Sequence, residues 1–258
     1  MGFENLYQRQ TSVILWYIDF QFINLLSSLI IKLNIKNKTM RATLKVALFF
    51  SVCIITLTSM TVKPKRIVFF GDSITQQGVS ANGYVTLIKK ALDSTKYTVM
   101  GAGIGGNKVY DLYLRLEDDV LSKKPDLVVI YVGINDVWHK QSSHTGTDYD
   151  KFLKFYQALI NKIQATGSKV VLVTPSVVGE KKDGTNELDA DLNKYAEGIR
   201  QLAAKNNLPL CDLRKIFTEY EAKNNPEDKE KGILTGDRVH LNETGNKLVA
   251  DQLLPLVR

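Results

Sequence analysis

A serine at position 73 stands in the sequence Gly71-Asp72-Ser73, directly after an apolar run that predicts a buried strand. If that strand is parallel to its neighbours, Ser73 lies at the carboxyl edge of the sheet, where the next helix points its N-terminus toward developing negative charge. A serine hydroxyl in that place is a candidate nucleophile, provided that a base removes its proton. Taken alone, the pattern is more typical of a helix cap formed by Asp72 or Ser73.

Three histidines are available as the base: His139, His144 and His240. His240 ends an Asp-x-x-His segment that begins at Asp237, just before the last predicted helix. An aspartate three residues ahead of a histidine can turn back to hold its far ring nitrogen, which fixes the tautomer and stabilises the imidazolium. We therefore predict His240 as the general base and Asp237 as its orienting carboxylate, although this segment alone would also suit a surface histidine.

Two further segments offer hydrogen-bond donors for the oxyanion of an acyl-transfer reaction. The glycine-rich turn 103–107 follows the second predicted strand, and its small residues let a backbone N–H approach a substrate closely. Asn135 follows the third predicted strand, and its side-chain amide can donate at the same edge. With the Ser73 N–H these make three donors, each of which typically contributes a few kcal/mol to the transition state. A tight turn and a helix-capping asparagine are the simpler interpretations.

From residue 65 onward, short apolar runs alternate with amphipathic segments. The apolar runs predict five strands, at residues 65–70, 97–100, 127–132, 169–174 and 208–213. The amphipathic segments predict helices at residues 84–92, 109–121, 149–165, 188–206 and 243–254. Such alternation forms right-handed βαβ units and a parallel sheet, in which sites lie at the carboxyl ends of the strands. Five strands in three layers indicate a flavodoxin-like order.

The motifs follow one another in a defined order: Gly-Asp-Ser, a glycine turn, Gly-x-Asn-Asp and Asp-x-x-His. In this order the sequence resembles the GDSL/SGNH hydrolase family across residues 65–256. The resemblance implies a three-layer αβα sandwich with a flavodoxin-like five-stranded parallel sheet, and ester hydrolysis through an acyl-enzyme without metal or cofactor. It assigns Ser73 as nucleophile and oxyanion donor. Gly106 and Asn135 are then the other oxyanion donors, and His240 and Asp237 complete the triad.

The second motif departs from the family pattern, because the usual Gly-Ile-Ser-Gly is replaced by Gly-Ile-Gly-Gly at residues 103–106. Gly105 is therefore an alternative to Gly106 as the oxyanion donor. Trp138 and His139 come soon after Asn135 and are expected at the rim of the pocket.

The expected substrate is a small-molecule or polysaccharide ester with a short acyl chain, such as a carbohydrate acetyl ester, because the domain has no large apolar lid insertion. A lysophospholipase or thioesterase using the same site is an alternative. A non-catalytic carbohydrate- or lipid-binding module is a second, and the intact Ser73, Asn135, Asp237 and His240 argue against it.

Two interpretations would require a bound metal or cofactor. His139 and His144 lie five residues apart in a polar stretch, a spacing that fits no pair of metal ligands on one helix. Residues 101–106 match the dinucleotide-binding pattern Gly-x-Gly-x-x-Gly, but they follow the second strand of the domain rather than the first. The acid about 20 residues further on, Asp126, opens a strand instead of ending one. The sequence therefore predicts neither a metal nor a cofactor.

Residues 1–62 differ in composition from the domain predicted at residues 63–258. They hold six of the 34 Lys and Arg residues and two of the 27 acids, so they carry +4 of the net charge of +7. In the remainder, lysines alternate with acids along predicted helices, which does not indicate nucleic-acid binding.

The segment from Met40 has the layout of a secretory signal peptide: a basic leader, about a dozen apolar residues and then small residues. We expect Met40 to be the true start, residues 1–39 to be a gene-calling artefact, and the domain to be exported. An alternative is membrane association through residues 13–57, against which Asp19 argues because a carboxylate in hydrocarbon is costly. A lipoprotein anchor on Cys53 is disfavoured, because Val52 stands where such signals usually carry a small residue.

Overall fold

The computed structural model describes residues 63–182 and 184–258, together with residues 39, 40, 42, 43 and 46. The chain divides into two units, Met1–Val62 and Lys63–Arg258, and the second is described here by itself. Apart from the five isolated residues, the segment for which a signal peptide or anchor is predicted lies outside the described residues. Among the residues that are described, no helix is both long and apolar enough to cross a membrane.

The second unit is built on one parallel sheet of five strands in the order β2-β1-β3-β4-β5. The strands are β1 (Lys65–Gly71), β2 (Tyr97–Gly103), β3 (Leu127–Tyr131), β4 (Lys169–Val173) and β5 (Leu210–Cys211). This confirms the predicted flavodoxin-like order. The connection reverses direction between β1 and β3, and ligands in such sheets bind outside the carboxyl ends of the strands at that point.

In the described residues of this unit, eight α-helices connect and cover the strands. They are α1 (Ser73–Gly78), α2 (Tyr84–Ala91), α3 (Val109–Asp119), α4 (Ile134–Ser142), α5 (Tyr149–Ala165), α6 (Asp189–Lys205), α7 (Leu213–Asn224) and α8 (Glu243–Val257). Helix α8 packs against α2, whereas α5 packs against α3 and α6. Because right-handed crossovers send the chain to opposite faces when it moves left or right along a sheet, these two groups form the outer layers of the predicted αβα sandwich.

The central strands are buried because both faces of the sheet are covered. All five residues of β3 are buried, as are residues 67–71 of β1. An uninterrupted apolar run is typical of such a strand, whereas a strand with one wet face alternates. The core therefore fixes the carboxyl ends of β1 and β3 rigidly beside each other.

Several elements differ from the predictions. Helices α1, α4 and α7 were not predicted. Helices α1 and α4 have only six and nine residues, too few turns for a helical period to be recognised in the sequence. The polar stretch with His139 is therefore mainly helix α4 rather than a loop. Strand β5 has two residues instead of the six expected, since it pairs only with β4 and Pro209 has no N–H to donate.

Candidate active site

The turn that carries Ser73 joins β1 directly to α1. Asp72 caps α1, because its carboxylate accepts a hydrogen bond from the Ile74 N–H at 3.0 Å. Ser73 is the first residue of the helix, and its hydroxyl is not used as the cap. Gly71 is required by close packing, since a Cβ there would lie 2.3 Å from the Tyr131 carbonyl oxygen. The turn therefore presents Ser73 at the carboxyl edge of the sheet, as the sequence predicts.

Ser73, His240 and Asp237 form one chain of hydrogen bonds. His240 Nε2 lies 2.9 Å from Ser73 Oγ, and His240 Nδ1 lies 2.7 Å from Asp237 Oδ2. The other carboxylate oxygen of Asp237 accepts from the backbone N–H groups of His240 at 2.8 Å and Val239 at 3.1 Å. With the ring proton on Nδ1, Asp237 accepts that proton's hydrogen bond and Nε2 accepts from the Ser73 hydroxyl.

Asp237 is held in its ionised form. Partial burial raises the pKa of its carboxyl, but the hydrogen bonds from the His240 ring and from the two backbone N–H groups outweigh burial, so the pKa lies below its usual range. An ionised carboxylate here fixes the ring orientation and favours an imidazolium. The arrangement can therefore deprotonate Ser73 and stabilise the resulting charge on His240.

Glu180 holds the triad loop, residues 233–240, by hydrogen bonds. Glu180 is fully buried, and its carboxylate accepts three backbone hydrogen bonds, from Ile233 at 2.8 Å, Leu234 at 2.6 Å and Thr235 at 2.5 Å. These bonds tie the loop that follows β4 to the loop that carries Asp237 and His240.

The oxyanion loop, residues 103–108, lies beside the nucleophile, because a Cβ added at Gly105 would be 3.9 Å from the Ser73 Cβ. The Gly105 N–H donates to Gln76 Oε1 at 2.9 Å and is therefore occupied. Within the described part of the chain, the N–H groups of Gly106 and Ser73 have no hydrogen-bond partner. Gly106 has a φ of +75°, which favours glycine at this position.

Asn135 and Asp136 connect the end of β3 to the same loop. Asn135 is buried, and its amide nitrogen donates to the Asn107 carbonyl at 3.1 Å, which leaves its second amide hydrogen available. Both oxygens of Asp136 accept from the Val109 N–H, at 3.1 and 3.2 Å, which anchors the start of α3. Complete burial raises the pKa of Asp136 to about 7, in spite of the hydrogen bonds that it accepts.

The other two histidines occupy different surroundings. A Cβ built on Gly106 would lie 3.8 Å from His139 Cε1, so His139 lies beside the oxyanion loop. The ring of Trp138 is 5.6 Å from that of His139, centroid to centroid. Burial lowers the pKa of His139, and the charge of Lys108 lowers it further. His144 lies on an exposed segment after α4, and among the described residues no group of three or more His, Cys, Asp and Glu could hold a metal.

Asp126 does not occupy the position of a ribose-binding acid. Its carboxylate accepts from the Arg66 N–H at 2.7 Å, at the amino end of β1. That edge of the sheet is opposite the one that carries Ser73. The glycine pattern at 101–106 therefore lacks the acidic partner that a dinucleotide site requires.

Three buried or half-buried charged residues around the site were not predicted: Arg115, Asp136 and Glu180. Asp136 had a signal, since it directly follows Asn135 in the Gly-x-Asn-Asp motif. Arg115 and Glu180 had no such signal, because the Glu180 carboxylate binds backbone N–H groups and Arg115 binds two backbone carbonyls in other segments of the chain.

A Ser–His–Asp chain at the carboxyl edge of a parallel αβα sheet defines a serine hydrolase. The family model described as "GDSL-like Lipase/Acylhydrolase family" matches residues 69–248, so the chain belongs to this family. It is a carboxylic ester hydrolase, as the sequence predicts.

Similar proteins include several acetylxylan esterases. The acetylxylan esterase of Geobacillus stearothermophilus is 28% identical over 210 residues, which cover 74% of this chain and 92% of that protein. The crystal structure of the acetyl xylan esterase AlAXEase is 58% identical, covers 75% of this chain and all of that chain, and superposes with a TM-score of 0.73. Axe2 from Geobacillus stearothermophilus is 25% identical with a TM-score of 0.66, over 77% of this chain and 96% of that chain.

Proposed function

We propose that this protein removes acetyl groups from xylan or a similar acetylated polysaccharide, with Ser73 as the nucleophile. The hydrogen-bonded chain from Asp237 through His240 to Ser73 is the observation that carries the proposal. The substrate class is supported by the acetylxylan esterases among its relatives, one of them 58% identical.

The spacing of the triad also agrees with the Axe2 structures. Three of them are described as catalytic mutants, in which a serine, an aspartate or a histidine is replaced by alanine. In Axe2 the aspartate precedes the histidine by three positions, as Asp237 precedes His240. This parallel supports the assignment of the same three roles here.

In the proposed reaction, Ser73 Oγ attacks the acetyl carbonyl carbon while His240 Nε2 takes the hydroxyl proton. The π electrons of the C=O bond move onto the carbonyl oxygen, and the resulting oxyanion is stabilised by the Ser73 N–H, the Gly106 N–H and the Asn135 amide. As the tetrahedral intermediate collapses, the bond to the sugar oxygen breaks and His240 gives its proton to that oxygen. Water then repeats the sequence on the acetyl-serine, which releases acetate and restores Ser73.

Gly106 is preferred to Gly105 as the second donor for a physical reason. The Gly105 N–H already donates to Gln76, so it would have to lose that bond to hold an oxyanion. The Gly106 N–H has no partner in the described part of the chain and loses nothing when an oxyanion forms.

We also propose that the enzyme acts outside the cytoplasm, since acetylated plant and cell-wall polysaccharides are outside the cell. The leader-like segment from Met40 supports export. Cell fractionation with N-terminal sequencing of the mature chain tests this. Full-length chain recovered only from the cytoplasmic fraction would contradict export.

The test of the reaction is acetate release from acetylated xylan by the full-length chain, together with hydrolysis of p-nitrophenyl esters of two and eight acyl carbons. We expect acetate release, a preference for the acetyl ester, and a loss of at least about 10³-fold in kcat in Ser73→Ala. Ser94→Ala, which changes an exposed serine, is the matched control. Equal turnover in Ser73→Ala would reject the nucleophile. A preference for the eight-carbon ester, without acetate release from xylan, would favour the lysophospholipase or thioesterase alternative.

A further inference from the structure

Arg115, on α3, joins the carboxyl ends of β1 and β2. One guanidinium nitrogen, Nη2, donates to the Gly71 carbonyl of β1 at 2.7 Å and to the Ala102 carbonyl of β2 at 3.1 Å. The guanidinium also stacks over the Phe70 ring, 4.5 Å from its centroid. A planar fork of this kind holds its partners in one relative orientation, which a single ammonium cannot do.

The same side chain reaches the oxyanion loop. Arg115 Nε donates to Asn107 Oδ1 at 2.7 Å. Asn107 directly follows Gly106, and its carbonyl accepts the bond from the Asn135 amide. Gly71, the other partner of Arg115, precedes Ser73 by two residues. Arg115 therefore binds one residue near Ser73 and one next to Gly106, and it reaches Asn135 indirectly, through Asn107.

Arg115 is not needed to hold α3 in place. The helix packs through Val109, Leu112 and Leu116, which are at most 1% exposed. The fourth bond of Arg115, from Nη1 to Asp119 at 2.7 Å, stays within the helix and involves a partly exposed carboxylate. Removing the guanidinium should therefore leave the helix folded while freeing the oxyanion loop.

We propose that Arg115 is a positioning residue for the oxyanion hole: it fixes the N–H groups of Ser73 and Gly106 and the amide of Asn135 relative to one another through Gly71 and Asn107. This inference rests on the proposed ester hydrolysis at Ser73. The positive charge of Arg115 also reaches the nucleophile turn, where it opposes the rise that burial causes in the pKa of Asp72.

The test compares Arg115→Ala and Arg115→Lys with the unsubstituted full-length chain. With p-nitrophenyl acetate we expect kcat to fall about 10²- to 10³-fold in both variants, the range typical of a lost oxyanion donor. KM should change less than about threefold, since ground-state binding is not affected. Lys keeps the charge but not the fork, so it should recover little of the loss.

The affinity for a trifluoromethyl ketone is a second measurement, because the hemiketal oxyanion of this inhibitor occupies the same oxyanion hole. A purely structural role of Arg115 would leave this affinity unchanged. We expect the affinity to fall in parallel with kcat, and methylguanidinium at low millimolar concentration should partly restore the activity of Arg115→Ala. Arg200→Ala is the matched control. Arg200, on α6, pairs with Asp212 at 2.8 Å, so the substitution should affect stability but not kcat.

The proposal is overturned if folded Arg115→Ala keeps kcat within threefold, if only KM changes, or if inhibitor affinity is unchanged. Asn107→Ala provides a second test should Arg115→Ala fail to fold. It removes one partner of the fork, should lower kcat at least tenfold, and should not add fully to Arg115→Lys in the double variant. An active Ser73→Ala would instead reject the proposed function itself, so the two failures are distinguishable.

Discussion

Replacing Glu180 with glutamine tests how the triad loop is held. Glu180 is fully buried and accepts three backbone N–H bonds, from Ile233, Leu234 and Thr235. A glutamine keeps one acceptor oxygen, but its NH₂ group replaces the other and leaves one buried N–H unpaired, at about 1–3 kcal/mol. The remaining bonds also lose their charge assistance. We expect Glu180→Gln to lower the free energy of unfolding by about 2–4 kcal/mol.

The loss should depend on pH because Glu221 lies nearby. Burial, and to a smaller extent the charge of Glu180, raise the pKa of Glu221 to about 8. Below that pH Glu221 is neutral and Glu180→Gln relieves no repulsion. Above it, the substitution removes a repulsive pair of charges, so the cost in stability should be smaller at pH 9 than at pH 6.

Urea unfolding of the full-length chain at both pH values measures these effects, and kcat on p-nitrophenyl acetate measures the displacement of the triad. We expect kcat to fall at least tenfold, since a shift of about 1 Å in a catalytic group can cost 10²-fold. Glu117→Gln, at an exposed glutamate, should stay within about 0.5 kcal/mol. The reasoning is refuted if Glu180→Gln matches that control at pH 6, or if its cost is larger at pH 9.

Three further predictions concern the site itself. Asp237→Asn should keep the fold but lower kcat about 10³- to 10⁴-fold, because the amide favours the wrong histidine tautomer; an unchanged kcat would remove Asp237 from the triad. The pKa of Asp136, raised to about 7, means that its contribution to stability is present below pH 4 and is lost as pH rises through 7. As pH rises from 5 to 8, the free energy of unfolding should therefore fall by about 3 kcal/mol less in Asp136→Asn than in the unsubstituted chain. If urea unfolding shows the same fall in both proteins, this prediction is contradicted. Gly106→Ala, at positive φ, should lower kcat at least tenfold and Gly105→Ala less than threefold; the reverse order would assign Gly105 as donor.

The sheet could be predicted because the buried parts of its central strands are uninterrupted apolar runs, residues 67–70 in β1 and 127–131 in β3. Strands β1 and β3 are covered on both faces, so the buried parts of their sequences show no alternation of apolar and polar residues. The short helices α1 and α4 were missed. They have only six and nine residues, so the sequence contains too few helical turns for an apolar period to be recognised.

Whether a site residue could be predicted depends on whether its hydrogen-bond partners are side chains or backbone groups. Asp237 and His240 interact across three residues, so the local sequence already contains both members of the pair. The Glu180 carboxylate binds backbone N–H groups as many as 55 residues away, and two of the four bonds of Arg115 go to backbone carbonyls. No residue type marks such a partner, and these contacts can be seen only after the chain has folded.

The two interpretations of Gly-Asp-Ser are compatible, because they apply to neighbouring residues. Asp72 accepts the Ile74 N–H and caps α1, so the cap does not use the Ser73 hydroxyl. A serine acting as the cap would commit its oxygen to the helix and could not remain the partner of His240. The helix start therefore contributes a capped turn through Asp72. Through Ser73 it contributes a hydroxyl that pairs with His240 Nε2 and an unpaired N–H.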